Sequence, residues 1–437
     1  MRKDNKNFFM FMGGRFVSLI GSGIQAIALP LYILDVTGSG TLMGIFSILT
    51  LAPALLAAPF SGILGDRKNR KNIMVVTDFG RGMLLCLLGI LAMIGSFNIY
   101  VLFIAQVFIS IMDSLFNSSS NALMPELISK DKLIEANSTK GVFDAASAIL
   151  GPALGGIIYG VFGIKMILYI NGISFIASAV FSMLITYNKK VELKEQIDMK
   201  IIINENIETL KFIKSKKGLL QLFTFAMISN FLLVPMLDIL IPYALRKELG
   251  FGSDQYGYLL GFFTVGILFG NVSISAYFKK LGLKKLMKTG LIVETIIMAV
   301  FSVLFFPQIV SIFGGATAIL FIAMSVCCFS MGFCNAFINT PISTNLQNLV
   351  PDEMRSRFFS ILGMFAQGAV PIGSLLFGIL IDLIKYYDLL TIINIASILA
   401  SGIFLLKACE EAYEAKTEQL GNEEKTERLG NVNEICE

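Results

Sequence analysis

Asp113 heads a run of polar side chains, with Asn117, Ser120 and Asn121 following four, seven and eight residues later in an otherwise apolar stretch. On a helix that spacing gathers them on one face. Asn335, Asn339 and Ser343 repeat the pattern, and Arg15, Ser18, Ser22 and Gln25 draw a third stripe. Asp238 is a further acid inside an apolar block. A charge at mid-bilayer costs about 3 kcal/mol on insertion scales, so each of these groups needs a partner, a ligand or water. A carboxylate at such a depth can carry a proton or hold a cation, which makes Asp113 the first and Asp238 the second candidate for proton coupling. The alternative reading pairs each acid with Arg15, Arg81 or a backbone group. Asp144 and Glu294 are expected nearer the inner membrane surface, where structural ion pairs are expected, and Asp35 is expected to be solvated at the outer end of its run.

Other chemistry is excluded by what is missing. The chain has no histidine, which removes imidazole acid-base catalysis and imidazole metal ligation. The cysteines, Cys86, Cys327, Cys328, Cys334, Cys409 and Cys436, show no paired metal spacing. With no nucleophile and base pair and no phosphate-cradling glycine loop, no catalytic residue, metal site or cofactor is expected, and the chain is not read as an enzyme.

The elements that must hold these groups are membrane spans. The 437 residues are 55% hydrophobic and only 15% charged, with a mean hydropathy of +0.75; soluble domains carry about 25% charged residues. Apolar runs of bilayer length predict twelve spans, roughly 8–34, 40–64, 72–95, 99–124, 139–163, 166–187, 218–246, 255–278, 287–306, 315–342, 358–382 and 388–407. The net charge of +4 does not imply nucleic acid, because the basic residues flank the spans. With the N-terminus in the cytoplasm, the outer loops hold only Lys165, Arg246, Lys247 and Lys385, whereas 66–71, 189–217 and 279–288 are rich in Lys and Arg. Both termini are therefore expected inside. The first span follows a short basic segment without a small-residue cleavage site and is expected to be retained.

The expected organisation is an N-terminal six-helix bundle (1–187), a cytoplasmic central loop (188–217), a C-terminal six-helix bundle (218–407) and an acidic, disordered cytoplasmic tail (408–437). In the loop, Ile201, Ile202, Ile203, Ile207, Leu210, Phe212 and Ile213 alternate with charges in a pattern that suits an amphipathic helix at the inner surface, or else a solvated linker. The two bundles repeat one another. A shift of 222 superposes Asp113 on Asn335, Asn117 on Asn339, Gly141 on Gly363, Gly151 on Gly373 and Gly156 on Gly378. A shift of 212 or 213 matches Pro30 with Pro242, Gly44 with Gly257 and Met74 with Met287.

Between spans two and three stands Gly62-Ile63-Leu64-Gly65-Asp66-Arg67-Lys68-Asn69-Arg70-Lys71. It resembles the signature loop of the major facilitator superfamily, Gly-x-Leu-x-Asp-Arg-x-Gly-Arg-Lys, with Asn69 in place of the second glycine. Glycine lets helices approach, and the charged residues Asp66, Arg67, Arg70 and Lys71 can make charge-assisted bonds to neighbouring helix ends, which together form a gating latch. A basic inner loop obeying the topology rule is the plainer alternative. Span five carries Gly151-Pro152-Ala153-Leu154-Gly155-Gly156, similar to the glycine-proline motif of exporters in that superfamily, although Ser147 stands where the longer pattern has glycine. Proline kinks a helix and glycines allow close contact, so this stretch serves as a pivot or as plain packing. Asp78 and Arg81, three apart, are placed to pair. With Leu29-Pro30-Leu31-Tyr32 and Pro125-Glu126-Leu127 they resemble the macrolide-efflux and enterobactin-exporter branch.

The resemblance implies an all-α membrane protein of twelve transmembrane helices in two six-helix bundles, with spans one, four, seven and ten lining a central cavity. It also implies alternating-access efflux of lipophilic or amphipathic, drug- or macrolide-like small molecules, by proton antiport, across a bacterial-type cell membrane. The arginine that many proton-driven exporters carry in span four is replaced here by Asn117-Ser118-Ser119-Ser120-Asn121, so coupling through it does not transfer. The expected partners are a small-molecule substrate, a proton and the lipid bilayer, with a monomer as the working unit. Export of one metabolite or siderophore, uptake by symport, and a non-transporting sensor with a transporter fold stay open as alternatives.

Overall fold

The computed structural model describes residues 3–128, 133–187, 199–278 and 281–413. Among them, eleven helices are long and apolar enough to cross a membrane. Spans one to four are Lys3–Thr37, Gly40–Arg67, Arg70–Met93 and Ile99–Leu127, and short capping turns separate them. Ser39, Asn69 and Asn98 accept the Leu42, Asn72 and Val101 amides and so end each turn at the next helix. Asn69, the departure from the signature loop, thus serves as the N-cap of span three.

The stretch Leu133–Met183 runs as a single helix of 51 residues except at Gly163, whose φ of 68° is open to glycine at little strain. Its neighbours show that the chain reverses there. Residues before Gly163 run parallel to span one, with Asp144 at Arg15, Gly151 at Gly23 and Tyr159 at Asp35. Residues after it run antiparallel, with Asn171 at Gln25, Ser174 at Gly21 and Phe181 at Gly14. The stretch is therefore read as spans five and six, which is consistent with twelve crossings among the described residues.

The second half holds span seven (Lys217–Glu248), span eight (Ser253–Phe278), span nine (Leu283–Val303), span ten (Ala318–Leu349), span eleven (Asp352–Leu383) and span twelve (Tyr386–Lys407). Ahead of it lies the helix Met199–Ser215, whose Ile213 is buried against Leu219 and Leu222 while Ile207 and Leu210 are exposed. A helix thus stands where the sequence reading expected either an amphipathic helix or a linker. Residues 188–198 lie outside the described residues.

The start of the expected disordered tail is ordered and docked. Ala412 and Tyr413 are buried in a core with Leu219, Met287, Leu346 and Phe404. Asn345 Nδ2 donates to the Glu411 and Ala412 carbonyls at 2.9 and 3.0 Å, and Lys284 Nζ bonds Glu410 at 2.6 Å. Four residues suffice because one aromatic ring is enclosed and the backbone acceptors are met. Residues 414–437 lie outside the described residues.

The apolar cores divide unequally along the membrane normal. Away from the termini one cluster joins both halves, including Leu29, Met43 and Leu102 of the first and Ile239, Phe251 and Phe377 of the second. Toward the termini there are two separate clusters. One holds Phe11, Met74, Phe116 and Leu123, and the other holds Leu222, Met287, Leu346 and Tyr413. The halves are packed together at one face and have separate cores at the other.

Candidate transport site

Two glycine seams join the halves. Between spans two and eleven, a Cβ on Gly44 would lie 2.7 Å from the Leu375 Cα. Between spans five and eight, a Cβ on Gly156 would lie 2.7 Å from the Gly257 Cα. Such approach is open only to glycine and lets backbones touch without side-chain entropy loss. Gly151 and Gly155, on the same motif, press instead on Gly23 and Ile24 of span one, and Pro152 lies between them.

Polar bonds close the joined face above these seams. Asp35 of span one accepts from Arg246 of span seven at 2.9 and 3.1 Å and from the Tyr159 hydroxyl at 2.9 Å. Asp35 is therefore bonded rather than merely solvated, because the fold brings Arg246 beside it. Lys247 Nζ donates to the Gly38 carbonyl at 2.6 Å. Asp382 of span eleven accepts from the Gly40 and Thr41 amides and the Ser39 hydroxyl at 2.8 to 2.9 Å, and so caps span two from the opposite half.

On span four Asn117 and Asn121 are exposed, and the Asp113 side chain keeps 34% of its exposure. On span ten Asn339 is exposed and its Nδ2 donates to Asn335 Oδ1 at 2.8 Å. Asp238 of span seven is exposed, and the Tyr256 hydroxyl donates to the neighbouring Leu237 carbonyl at 2.9 Å. Lipid offers such exposed amides and acids no partner.

The span-one stripe is placed differently from the sequence expectation. Arg15 is buried and bonds Asp144 of span five at 3.0 and 3.2 Å and the Ser120 hydroxyl of span four at 3.4 Å. Gln25 is buried, donates to Gln106 at 3.1 Å and accepts from Asn171. Both are thus spent inside the first bundle, holding spans one, four, five and six together, because each finds polar partners on neighbouring spans.

Asp113 is paired too. Arg81 bonds both Asp78, one turn before it, and Asp113 across the span three to span four contact. Its guanidinium, almost wholly buried, stacks between the Phe116 and Phe175 rings, with centroids at 4.8 and 4.2 Å. The Asp78 Oδ2 and Arg81 Nε atoms have no hydrogen-bond partner. Glu294, expected in an ion pair, has no Lys or Arg partner among the described residues.

In the signature loop Arg70 bonds Glu126 and the Ala122 carbonyl, and the Tyr187 hydroxyl bonds the other Glu126 oxygen. These bonds tie the loop to spans four and six of its own half. Lys71 is half-buried. Gly62, Asp66 and Arg67 lie in the last turns of span two, and their side-chain surroundings fall outside the described residues.

The sequence matches the family model of the Major Facilitator Superfamily over residues 11–322 and 223–432. The chain belongs to the major facilitator superfamily. It is 25% identical to macrolide efflux protein A of Streptococcus pyogenes, over 86% of this chain and 89% of that protein. It is also 25% identical to multidrug resistance protein MdtG of Escherichia coli (strain SMS-3-5 / SECEC), over 67% of this chain and 71% of that one. Its fold resembles the crystal structure of a bacterial homologue of the iron transporter ferroportin in an inward-facing state. That likeness has a TM-score of 0.71 at 16% identity and covers 92% of this chain and 99% of the other.

The bonds of Asp35, Arg246, Lys247 and Asp382 across the joined face are what sequence reading passed over. Arg246 and Lys247 were visible as two of the four basic residues expected in outer loops, and Asp382 as an acid at a span end. Those exceptions to the charge rule were the available signal.

Proposed function

We propose that this major facilitator protein exports lipophilic or amphipathic small molecules, of macrolide or drug type, by alternating access with proton antiport. The observation that carries the reading is the division of the cores. The halves share one core at the face bearing Asp35, Arg246 and Asp382 and have separate cores at the face bearing the termini. With the termini cytoplasmic, as the distribution of Lys and Arg favours, the closed face is external and the protein is poised to load from inside.

In this reading Asn117, Asn121 and Asn339 offer hydrogen bonds between the halves, and Asp113 and Asp238 offer proton-carrying groups; the exposure of Asn117, Asn121, Asn339 and Asp238 supports it. Asp238 has no cationic partner among the described residues, whereas Asp113 exchanges its proton against the Arg81 bond. Proton arrival at Asp113 frees Arg81 for Asp78 alone, a local change able to bias the packing of spans three and four. Substrates of the macrolide and multidrug kind fit a chain similar to efflux proteins over most of its length.

The test is accumulation of a labelled macrolide by cells making the protein, with and without an uncoupler. Efflux lowers accumulation and the uncoupler restores it; an increase in energised accumulation points to uptake by symport instead.

A further inference from the structure

A small cavity of about 30 Å³, lined by polar and apolar side chains, lies between spans seven, nine and twelve. Glu294, Thr295, Asn394, Ser397, Ser401 and Ser229 contribute its polar lining. The hydrogen-bond balance inside it is lopsided. Asn394 is only 5% exposed; its Nδ2 donates to the Met298 carbonyl at 3.3 Å, while its Oδ1 has no partner. The Thr295 hydroxyl donates to the Leu291 carbonyl at 2.6 Å, which leaves its lone pairs for the cavity. The Ser397 hydroxyl is buried without a partner. Among the described residues no Lys or Arg pairs with Glu294.

We propose that this pocket binds a sodium ion, held by the Glu294 carboxylate, Asn394 Oδ1 and the hydroxyl oxygens of Ser397 and Thr295. One carboxylate among neutral oxygens matches a monovalent charge. The four ligand atoms named are all oxygens, which suits a hard cation and not a thiolate- or imidazole-seeking metal. The cavity admits an occupant about the size of a water molecule, which favours sodium over larger alkali ions. A bound cation answers every acceptor at once, whereas a proton on Glu294 satisfies one of them. The proposal is independent of the substrate and direction of transport.

The experiment uses purified full-length protein in detergent. Radiosodium binding and the thermal unfolding midpoint are measured in sodium chloride against choline chloride at equal ionic strength. Saturable binding of one sodium per chain is expected, with a sodium-specific rise in midpoint. Both are lost in Glu294→Gln and Asn394→Val and kept in Asp113→Asn. Equal midpoints in the two salts, or binding unchanged in both variants, overturns the site and leaves water as the occupant. If either variant does not fold, Ser397→Ala keeps the carboxylate and must still weaken sodium several-fold; an unaltered affinity there rejects the proposal.

Discussion

Arg246 of span seven grips Asp35 of span one across the two bundles by two bonds, Nε to Oδ1 at 2.9 Å and Nη2 to Oδ2 at 3.1 Å. Both side chains are partly exposed, so the pair contributes about 1 kcal/mol or less. It acts with Lys247 on Gly38 and Asp382 on the start of span two, which makes the closed face a set of small contributions. Arg246→Ala is predicted to shift the closed population by up to about fivefold. Adding Asp382→Asn should enlarge the shift. Spin-label distances between the ends of spans one and seven read this directly; an unchanged distribution in the double variant contradicts a gate at this face.

The seam between spans five and eight makes a sharper prediction. Gly156→Val adds bulk 2.7 Å from the Gly257 Cα, and overpacking of this kind costs about 1–3 kcal/mol. The state in which these spans touch should become about 5- to 150-fold rarer. Gly141→Val is the control, because a Cβ there meets nothing within 4 Å. Cross-linking between the two spans should fall in the first variant and not in the second.

Arg81 is nearly inaccessible and bonds two carboxylates, so truncation strands both. Arg81→Ala is predicted to destabilise the first bundle by about 3–5 kcal/mol. Asp113→Asn leaves the Asp78 pair and should cost far less stability, while removing gradient-driven efflux. Thermal unfolding in detergent beside transport assays separates the two effects. Equal stability losses in the two variants contradict this division of roles.

The docked tail gives a pH dependence with a definite sign. Lys284 lies on the Glu410 carboxylate at 2.6 and 2.7 Å and holds its pKa below the ordinary 4.5. A lowered folded-state pKa means the contact contributes fully above the unfolded value and is lost as pH falls through the folded one. Hydrogen exchange at residues 408–413 should be slow at neutral pH and accelerate only in acid. Glu410→Gln should exchange faster at neutral pH and lose the acid step.

The sequence carried the duplication down to the seam. Gly44 and Gly257, matched by sliding the chain on itself, are the glycines by which spans two and eight meet the opposite half. Gly156 and Gly378, matched by the other shift, lie on the receiving spans five and eleven, and Gly151 and Gly373 press on spans one and seven. A repeat keeps glycine where backbones touch, so this part was legible. Partner choice was not. Periodicity shows that Arg15, Gln25 and Asp113 share polar faces, but which neighbour each meets depends on how the helices are rotated against one another. Reversal at Gly163 was legible as a break between two apolar runs. Docking of Tyr413 was not, since four residues carry no period to read.

Everted membrane vesicles with an acidic interior test the central claim most directly. The lumen then corresponds to the outside of the cell, and proton efflux from it should drive a labelled macrolide inward. Vesicles holding the native protein are expected to accumulate the macrolide, lose it on addition of a proton ionophore, and fail to accumulate it when Asp113 and Asp238 are both Asn. Accumulation that persists without the pH difference, or that survives loss of both carboxylates, contradicts proton-coupled export through this site.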